Sequence, residues 1–124
     1  MTKTLVIDLD GTLTVPGGAK SYADALPRED VASRVREYSD KGFKIAIFTS
    51  RNMRTFGNSV GKITANTVPV IVDWLRANEI PFDELHVGKP WCGNGGFYVD
   101  DRAIRPSEFA SLSHAQINRL LKRE

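Results

Sequence analysis

Cysteine is nearly missing from this sequence, since a chain of 124 residues carries one, Cys92. A lone cysteine excludes an internal disulfide, agrees with a reducing compartment, and with no second Cys or suitably spaced His beside it reads as structural. Histidine is almost as scarce, with only His86 and His114. A metal site built on imidazole or thiolate clusters is therefore not expected. Long apolar runs are absent too: nothing reaches bilayer-spanning length, and the amino terminus lacks the apolar stretch and cleavage site of a secretory signal. No membrane partner is expected, and the cytoplasm is the natural compartment. An excess of one charge is also lacking, because 17 Lys and Arg stand against 15 Asp and Glu for a formal +2. That balance argues against nucleic acid as a partner, which demands a basic face. No internal repeat or low-complexity tract is visible.

What is present is ordinary globular composition, 41% apolar and 26% charged, enough for one domain over residues 1–124 with one core. Residues 3–9 form a short apolar, β-branched run ended by Asp-Gly, the pattern of a strand buried on both faces. Residues 12–26, with Pro16, Gly17 and Gly18, have no period and read as a loop or flap. Pro27 opens a helix with Val31, Val35 and Tyr38 on one stripe and Gly42 as its stop. A second strand is expected over 43–49. A helical pattern follows, with Asn58 as its expected cap and Ile63, Val70, Ile71, Trp74 and Leu75 as its apolar face, which Pro69 kinks or divides. Residues 84–87 read as a third strand and Phe97-Tyr98-Val99 as a fourth. Ser113 with Gln116 forms a capping box before a final helix expected to cover the sheet. Strands alternating with helices predict an α/β fold with a parallel sheet and right-handed crossovers, of the Rossmann kind.

In such sheets ligands bind beyond the carboxyl ends of the strands. Four expected strand ends carry polar residues there: Asp8-Leu9-Asp10-Gly11-Thr12, Thr49-Ser50-Arg51, Gly88-Lys89-Pro90, and Asp100-Asp101. Carboxylates gathered in one crater repel each other, and a divalent cation resolves the repulsion. Oxygen-only donors favour Mg2+, which binds through one or two carboxylates, waters and a substrate phosphate. Lys89 supplies a further positive charge.

Asp8-Leu9-Asp10-Gly11-Thr12-Leu13 resembles the first signature of the haloacid dehalogenase superfamily, and the other three segments resemble its remaining signatures, in order, across nearly the whole chain. The resemblance implies a three-layer α/β sandwich with no large cap, and a phosphatase in which Asp8 attacks phosphorus to form an aspartyl phosphate. It implies that Asp10 protonates the leaving alcohol and later activates water. Asp8 and Asp10 ligate Mg2+ with help from Asp100 or Asp101. Thr49, Ser50 and Lys89 hold the phosphoryl group, and Arg51 and Arg102 are the candidates to contact the rest of the substrate, because each directly follows signature residues. An acid at the second position separates phosphatases from dehalogenases, since an alcohol leaving group requires a proton donor. The stretches 49–53, 87–91 and 98–106 are similar to small phosphatases of capsular polysaccharide biosynthesis. That similarity implies a phosphorylated sugar or polyol as substrate. Without a cap, residues 14–25 or a neighbouring subunit must close the site, so a homo-oligomer stands among the expected partners. A phosphotransferase or mutase of the same superfamily, and a non-catalytic module that binds a phosphorylated ligand, are the alternative functions.

Three other signals are weaker. Gly57-Asn58-Ser59-Val60-Gly61-Lys62 resembles a phosphate loop but is one residue short between its glycines, and Ile63 stands where Ser or Thr is required. A helix start is the simpler expectation. His86 reads as a packed or hydrogen-bonded strand residue. Trp91 lines either the substrate entrance or the core.

Overall fold

The computed structural model of the chain describes residues 3–17 and 21–122. Three of the apolar runs become strands: β1 over Thr4–Ile7, β2 over Lys44–Phe48 and β3 over Glu84–His86. They pair in parallel in the order β1-β2-β3. The register sets Ile7 beside Ile47 and Ile47 beside Leu85. The three carboxyl ends are thus level, and Asp8, Thr49 and Lys89 follow from neighbouring strands.

The first crossover helix, α1, spans Glu29–Asp40. Glu29 and Asp30 occupy its first turn, where carboxylates oppose the positive end of the helix dipole. Its stripe of Val31, Ala32, Val35 and Tyr38 is buried, and the helix packs on β2. The second helical pattern divides into α2, Val60–Asn66, and α3, Val68–Ala77. Thr67 ends one and begins the other, and Pro69 lies in the first turn of α3. Proline has no N–H to give and is tolerated only in a first turn, so a new helix starts there. Ser59, rather than the expected Asn58, caps α2 by accepting a bond from the Lys62 N–H at 3.2 Å. Asn58 instead takes the left-handed φ of 66° just before it. The segment resembling a phosphate loop is this helix start.

The first core unites these layers. Leu9, Leu13, Val31, Val35, Ile45, Ile47, Ile63, Ile71 and Leu75 are wholly removed from solvent. Each such aliphatic side chain stabilises the fold by about 1.5 to 3 kcal/mol of hydrophobic transfer. Within the first unit, Ile7 of β1 is buried in this core and Val6 lies on the opposite sheet face. Val6, Ala46, Phe48 and Val87 belong to an open groove of about 360 Å³ along that second sheet face.

The chain divides into two compact units, Met1–Trp91 and Cys92–Glu124. The second contains α4, Pro106–Ser111, and α5, His114–Leu121. Ser113 and Gln116 form the expected capping box of α5, with bonds of 3.2 and 2.8 Å. Helix α4 escaped the sequence pattern because it is short and buries one residue, Phe109. The expected fourth strand is not formed: residues 97–99 belong to no strand, with Phe97 80% and Val99 89% exposed. Strand propensity describes fitness for a pleated sheet and cannot make a strand without a hydrogen-bonded neighbour. Among the described residues, no helix is long and apolar enough to cross a membrane.

Candidate active site

Immediately after β1 the chain winds around a single carbonyl. The Leu9 C=O accepts from the N–H groups of Thr12, Leu13 and Thr14 at 3.2, 2.9 and 3.1 Å. Leu9 and Leu13 anchor this turn in the core, which leaves Asp8 and Asp10 at the strand end. Gly11 makes the turn with φ at +78°, a conformation that costs other residues roughly 1 to 2 kcal/mol. The chain then enters the flap. A short antiparallel bridge joins Thr14 to Pro27, and the flap is tied down where Trp74 Nε1–H donates to the Ala25 carbonyl at 2.7 Å.

Asp8 is half-buried, and the Leu9 backbone, the Thr12 hydroxyl and Lys89 all act on it. Its Oδ2 accepts from the Thr12 hydroxyl at 3.1 Å, and its Oδ1 lies 3.8 Å from Lys89 Nζ. Burial pushes its pKa above the ordinary 3.8, against the opposing attraction of Lys89 and the Thr12 hydrogen bond. The negative charge of Asp10 adds a smaller push upward. Two carboxylates are therefore close enough to interact in a partly dry site.

Asp10 is held by Arg51 in a two-pronged ion pair. Arg51 Nε donates to Oδ2 at 3.0 Å and Nη2 donates to Oδ1 at 2.7 Å. The Arg51 side chain is fully buried, whereas Asp10 remains 38% exposed. Its guanidinium lies over the Tyr22 ring, 4.1 Å from the centroid. Nη1 is buried and has no hydrogen-bond partner among the described residues. The fixed fork of arginine suits a carboxylate in a way that a lysine point charge does not. Arg51, expected as a substrate contact, thus has two of its three nitrogens on Asp10.

The next strand ends are laced together. Thr49 N–H donates to the His86 carbonyl at 3.0 Å, and Lys89 N–H donates to the Thr49 carbonyl at 3.2 Å. The buried Thr49 hydroxyl oxygen accepts the Arg51 N–H at 3.0 Å, which leaves its own proton to donate. Gly88 has φ at +85°, and a Cβ there would meet Val60 Cγ2 at 3.0 Å. The approach to Lys89 therefore requires glycine. His86 is hydrogen-bonded, as its strand position predicts, with Nε2 and Glu84 Oε1 2.7 Å apart.

Asp8, Asp10, Thr49, Ser50, Arg51 and Lys89 all belong to the first unit. There an open cleft of about 720 Å³ is lined by Asp10, Ser50, Arg51, Tyr22, Arg54 and Trp91. Trp91 lines this cleft and is 47% exposed, so it is not packed in the core. Asp100, Asp101 and Arg102 lie together in the second unit, all exposed. There Asp100 Oδ1 accepts the Arg102 N–H at 2.8 Å. Two contributors escaped the sequence reading. Tyr22 sits in a segment without periodicity, so nothing marked it as a cover for Arg51. Thr12 was visible only as a signature letter, and its hydroxyl bond to Asp8 required the turn.

Within the described residues of the first unit, no three His, Cys, Asp or Glu side chains converge on one point. What that unit offers a cation is the oxygen donors of Asp8 and Asp10. Two hard oxygen ligands, with water and phosphate completing the set, suit Mg2+. The donor chemistry therefore fits magnesium.

No family model matches the chain, and no curated protein matches it at a significant level. Among solved structures it is similar to an MCSG target from Vibrio cholerae, at 52% identity over 98% of both chains with a TM-score of 0.95. The chain belongs to the same family as that Vibrio cholerae protein.

Proposed function

We propose that this protein is a magnesium-dependent phosphatase of the haloacid dehalogenase type, which hydrolyses a small phosphate monoester through a phosphorylated Asp8. The observation that carries this reading is the half-buried Asp8 carboxylate, placed at the end of β1 between Lys89 Nζ and the Thr12 hydroxyl, one residue beyond the last strand rung. A carboxylate in that setting is poorly solvated, and a nucleophile is strengthened when water is removed from it.

In this scheme an Asp8 oxygen attacks phosphorus, the bond to the leaving alcohol breaks, and Asp10 delivers the proton that the alkoxide takes up. Water then attacks the aspartyl phosphate, Asp10 accepts its proton, and inorganic phosphate departs. Each Asp10 oxygen has a second lone pair beyond the one that Arg51 uses, so Asp10 can exchange a proton while the fork holds it in place. Arg51 is a positioning residue here. The Thr49 hydroxyl, Ser50 and Lys89 bind the phosphoryl oxygens and offset their charge. When bound, Mg2+ supplies positive charge that neutralises the phosphoryl oxygens against the acids. Within the first unit, Asp8 and the Asp10 carbonyl are the groups that would hold it.

The open cleft of the first unit suits a compact substrate, and Tyr22, Arg54 and Trp91 suit a sugar or polyol with an anionic or hydroxyl-rich body. A phosphorylated sugar or polyol, of the kind used in capsule synthesis, is the preferred substrate class. The test is phosphate release from a panel of sugar, polyol and nucleotide monophosphates with Mg2+. Release from sugar or polyol phosphates that disappears with chelator, and in Asp8→Asn, is the expected result. Full activity in Asp8→Asn would sink the assignment of the nucleophile. An isomeric phosphate ester without free phosphate would make the protein a mutase.

A further inference from the structure

Two arginines of the first unit have bonding capacity that its described residues do not use. Arg51 gives Nε and Nη2 to Asp10, while its buried Nη1 has no hydrogen-bond partner. A buried polar group of this kind is uncommon and calls for an acceptor from outside the fold, such as a ligand oxygen. Arg54, one turn further along the same loop, lines the same cleft and has no ion pair among the described residues of its unit. The charges along this cleft do not cancel either. Of the first unit's described residues that line it, Asp10 is the only acid and Arg51 and Arg54 are the two cations. The ion pair neutralises Asp10, so one positive charge is left over in a concave surface, where its field is focused. A neutral sugar or polyol needs hydroxyl partners and gives no role to that excess.

We infer that Arg54 and the Nη1 edge of Arg51 form a subsite for a second anionic group of the substrate, a carboxylate or a further phosphate carried by the leaving alcohol. This deepens the proposed function and rests on it. Asp10 meets the leaving oxygen there, so Arg51, bonded to Asp10, stands on the leaving-group side of the reacting phosphorus. Arginine suits the task because its planar fork offers paired N–H groups to carboxylate and phosphate oxygens alike. Nη1 is reached when the Tyr22 ring, whose centroid lies 4.1 Å from the guanidinium, turns aside with the flap. The substrate class narrows accordingly, to a phosphorylated sugar acid or a bisphosphate in preference to a neutral polyol phosphate. Lysine at position 51 keeps the charge and loses the grip on Asp10, so the subsite is tested at Arg54, which touches no reacting group.

The test compares esters of equal length that differ only at the far end: gluconate 6-phosphate, glucitol 1,6-bisphosphate and glucitol 6-phosphate, each with Mg2+. In the wild-type protein, kcat/KM for the gluconate ester or the bisphosphate is expected to exceed that for glucitol 6-phosphate by about 10- to 100-fold, the range that a charge-assisted hydrogen bond supports. Whichever charged ester leads identifies the second group. In Arg54→Gln the preference is expected to collapse, mainly through KM for the charged ester, and Arg54→Lys is expected to restore part of it. A neutral ester turned over as well as both charged ones, or a preference that survives Arg54→Gln, overturns the subsite. If no ester is hydrolysed, the functional reading fails by itself, and calorimetric titration of gluconate 6-phosphate and glucitol 6-phosphate into the wild-type protein decides the subsite. Tighter binding of the gluconate ester that is lost in Arg54→Gln supports it. Equal binding of the two, or binding of neither, overturns it.

Discussion

Arg51 clasps Asp10 with both prongs of its guanidinium, at 3.0 and 2.7 Å, across 41 residues of sequence. The pair is asymmetric, with the cation buried under Tyr22 and the carboxylate reaching the cleft. An acid that must meet a leaving group gains from being held at a fixed angle, because a misplacement of about 1 Å costs roughly 100-fold in rate. The buried partner supplies that rigidity.

Arg51→Lys keeps the charge and loses the fork. The expected outcome is a fall in kcat of about 100-fold with little change in KM, measured by phosphate release with a good substrate. A KM effect with kcat preserved would assign Arg51 to substrate binding instead. Arg51→Ala is expected to lower the melting temperature as well, because it strands the Asp10 charge and empties a packed position.

Asp8→Asn is expected to remove activity and yet stabilise the fold. The raised pKa means that the folded state disfavours the ionised form, chiefly through burial. The sign follows from linkage: Asp8 costs stability above its folded pKa, and the cost fades as pH falls through that value and is gone below the unfolded 3.8. In chelator-containing, metal-free buffer, Asp8→Asn should therefore melt higher than wild type at pH 7 and no higher below the ordinary aspartate range. Thermal melts across that span check it; a lower melting temperature at pH 7 would show that the Lys89 and Thr12 contacts outweigh desolvation.

Trp74→Phe removes the hydrogen bond that fastens the flap at Ala25 while keeping the aromatic packing. A loss of about 1 kcal/mol is expected from the bond itself. Because Tyr22 belongs to the same flap, KM is expected to rise more than kcat falls. Comparison of KM and kcat for Trp74→Phe and Tyr22→Leu checks whether the flap shapes the substrate site.

Gly88→Ala places a methyl group at φ +85° and 3.0 Å from Val60 Cγ2. Strain of about 1 to 3 kcal/mol is expected. The displaced backbone carries Lys89 with it, so turnover should fall beyond what the lost stability explains. Val60→Ala in the same chain relieves the contact but not the φ, and is expected to restore part of the melting temperature.

The local elements were legible because each rests on short-range physics. The apolar runs read at 3–9 and 43–49, the stripe Val31, Val35, Tyr38, the Pro69 division and the Ser113-Gln116 box all depend on residues within a few positions of each other. Asp8 and Asp10 could be named as a pair because both follow the first apolar run within three positions, in a segment that resembles a known signature. Residues 97–99 show where that logic stops. Their propensity is real, but a strand needs a neighbour, and propensity carries no information about which edge is free. Helix α4 was invisible for the opposite reason, since it is short and has almost no apolar face to betray it.

By itself the sequence determined which residue types stand at which strand ends, hence the chemistry on offer: oxygen acids, a lysine, an arginine and the hydroxyls of threonine and serine. Tertiary structure alone decided what those groups do to one another. It put Arg51 on Asp10, Tyr22 over Arg51, and Lys89 within 3.8 Å of Asp8. The physical reason is that side-chain identity is local, whereas burial, distance and the competition among charges for partners exist only after distant segments have been brought to the same sheet.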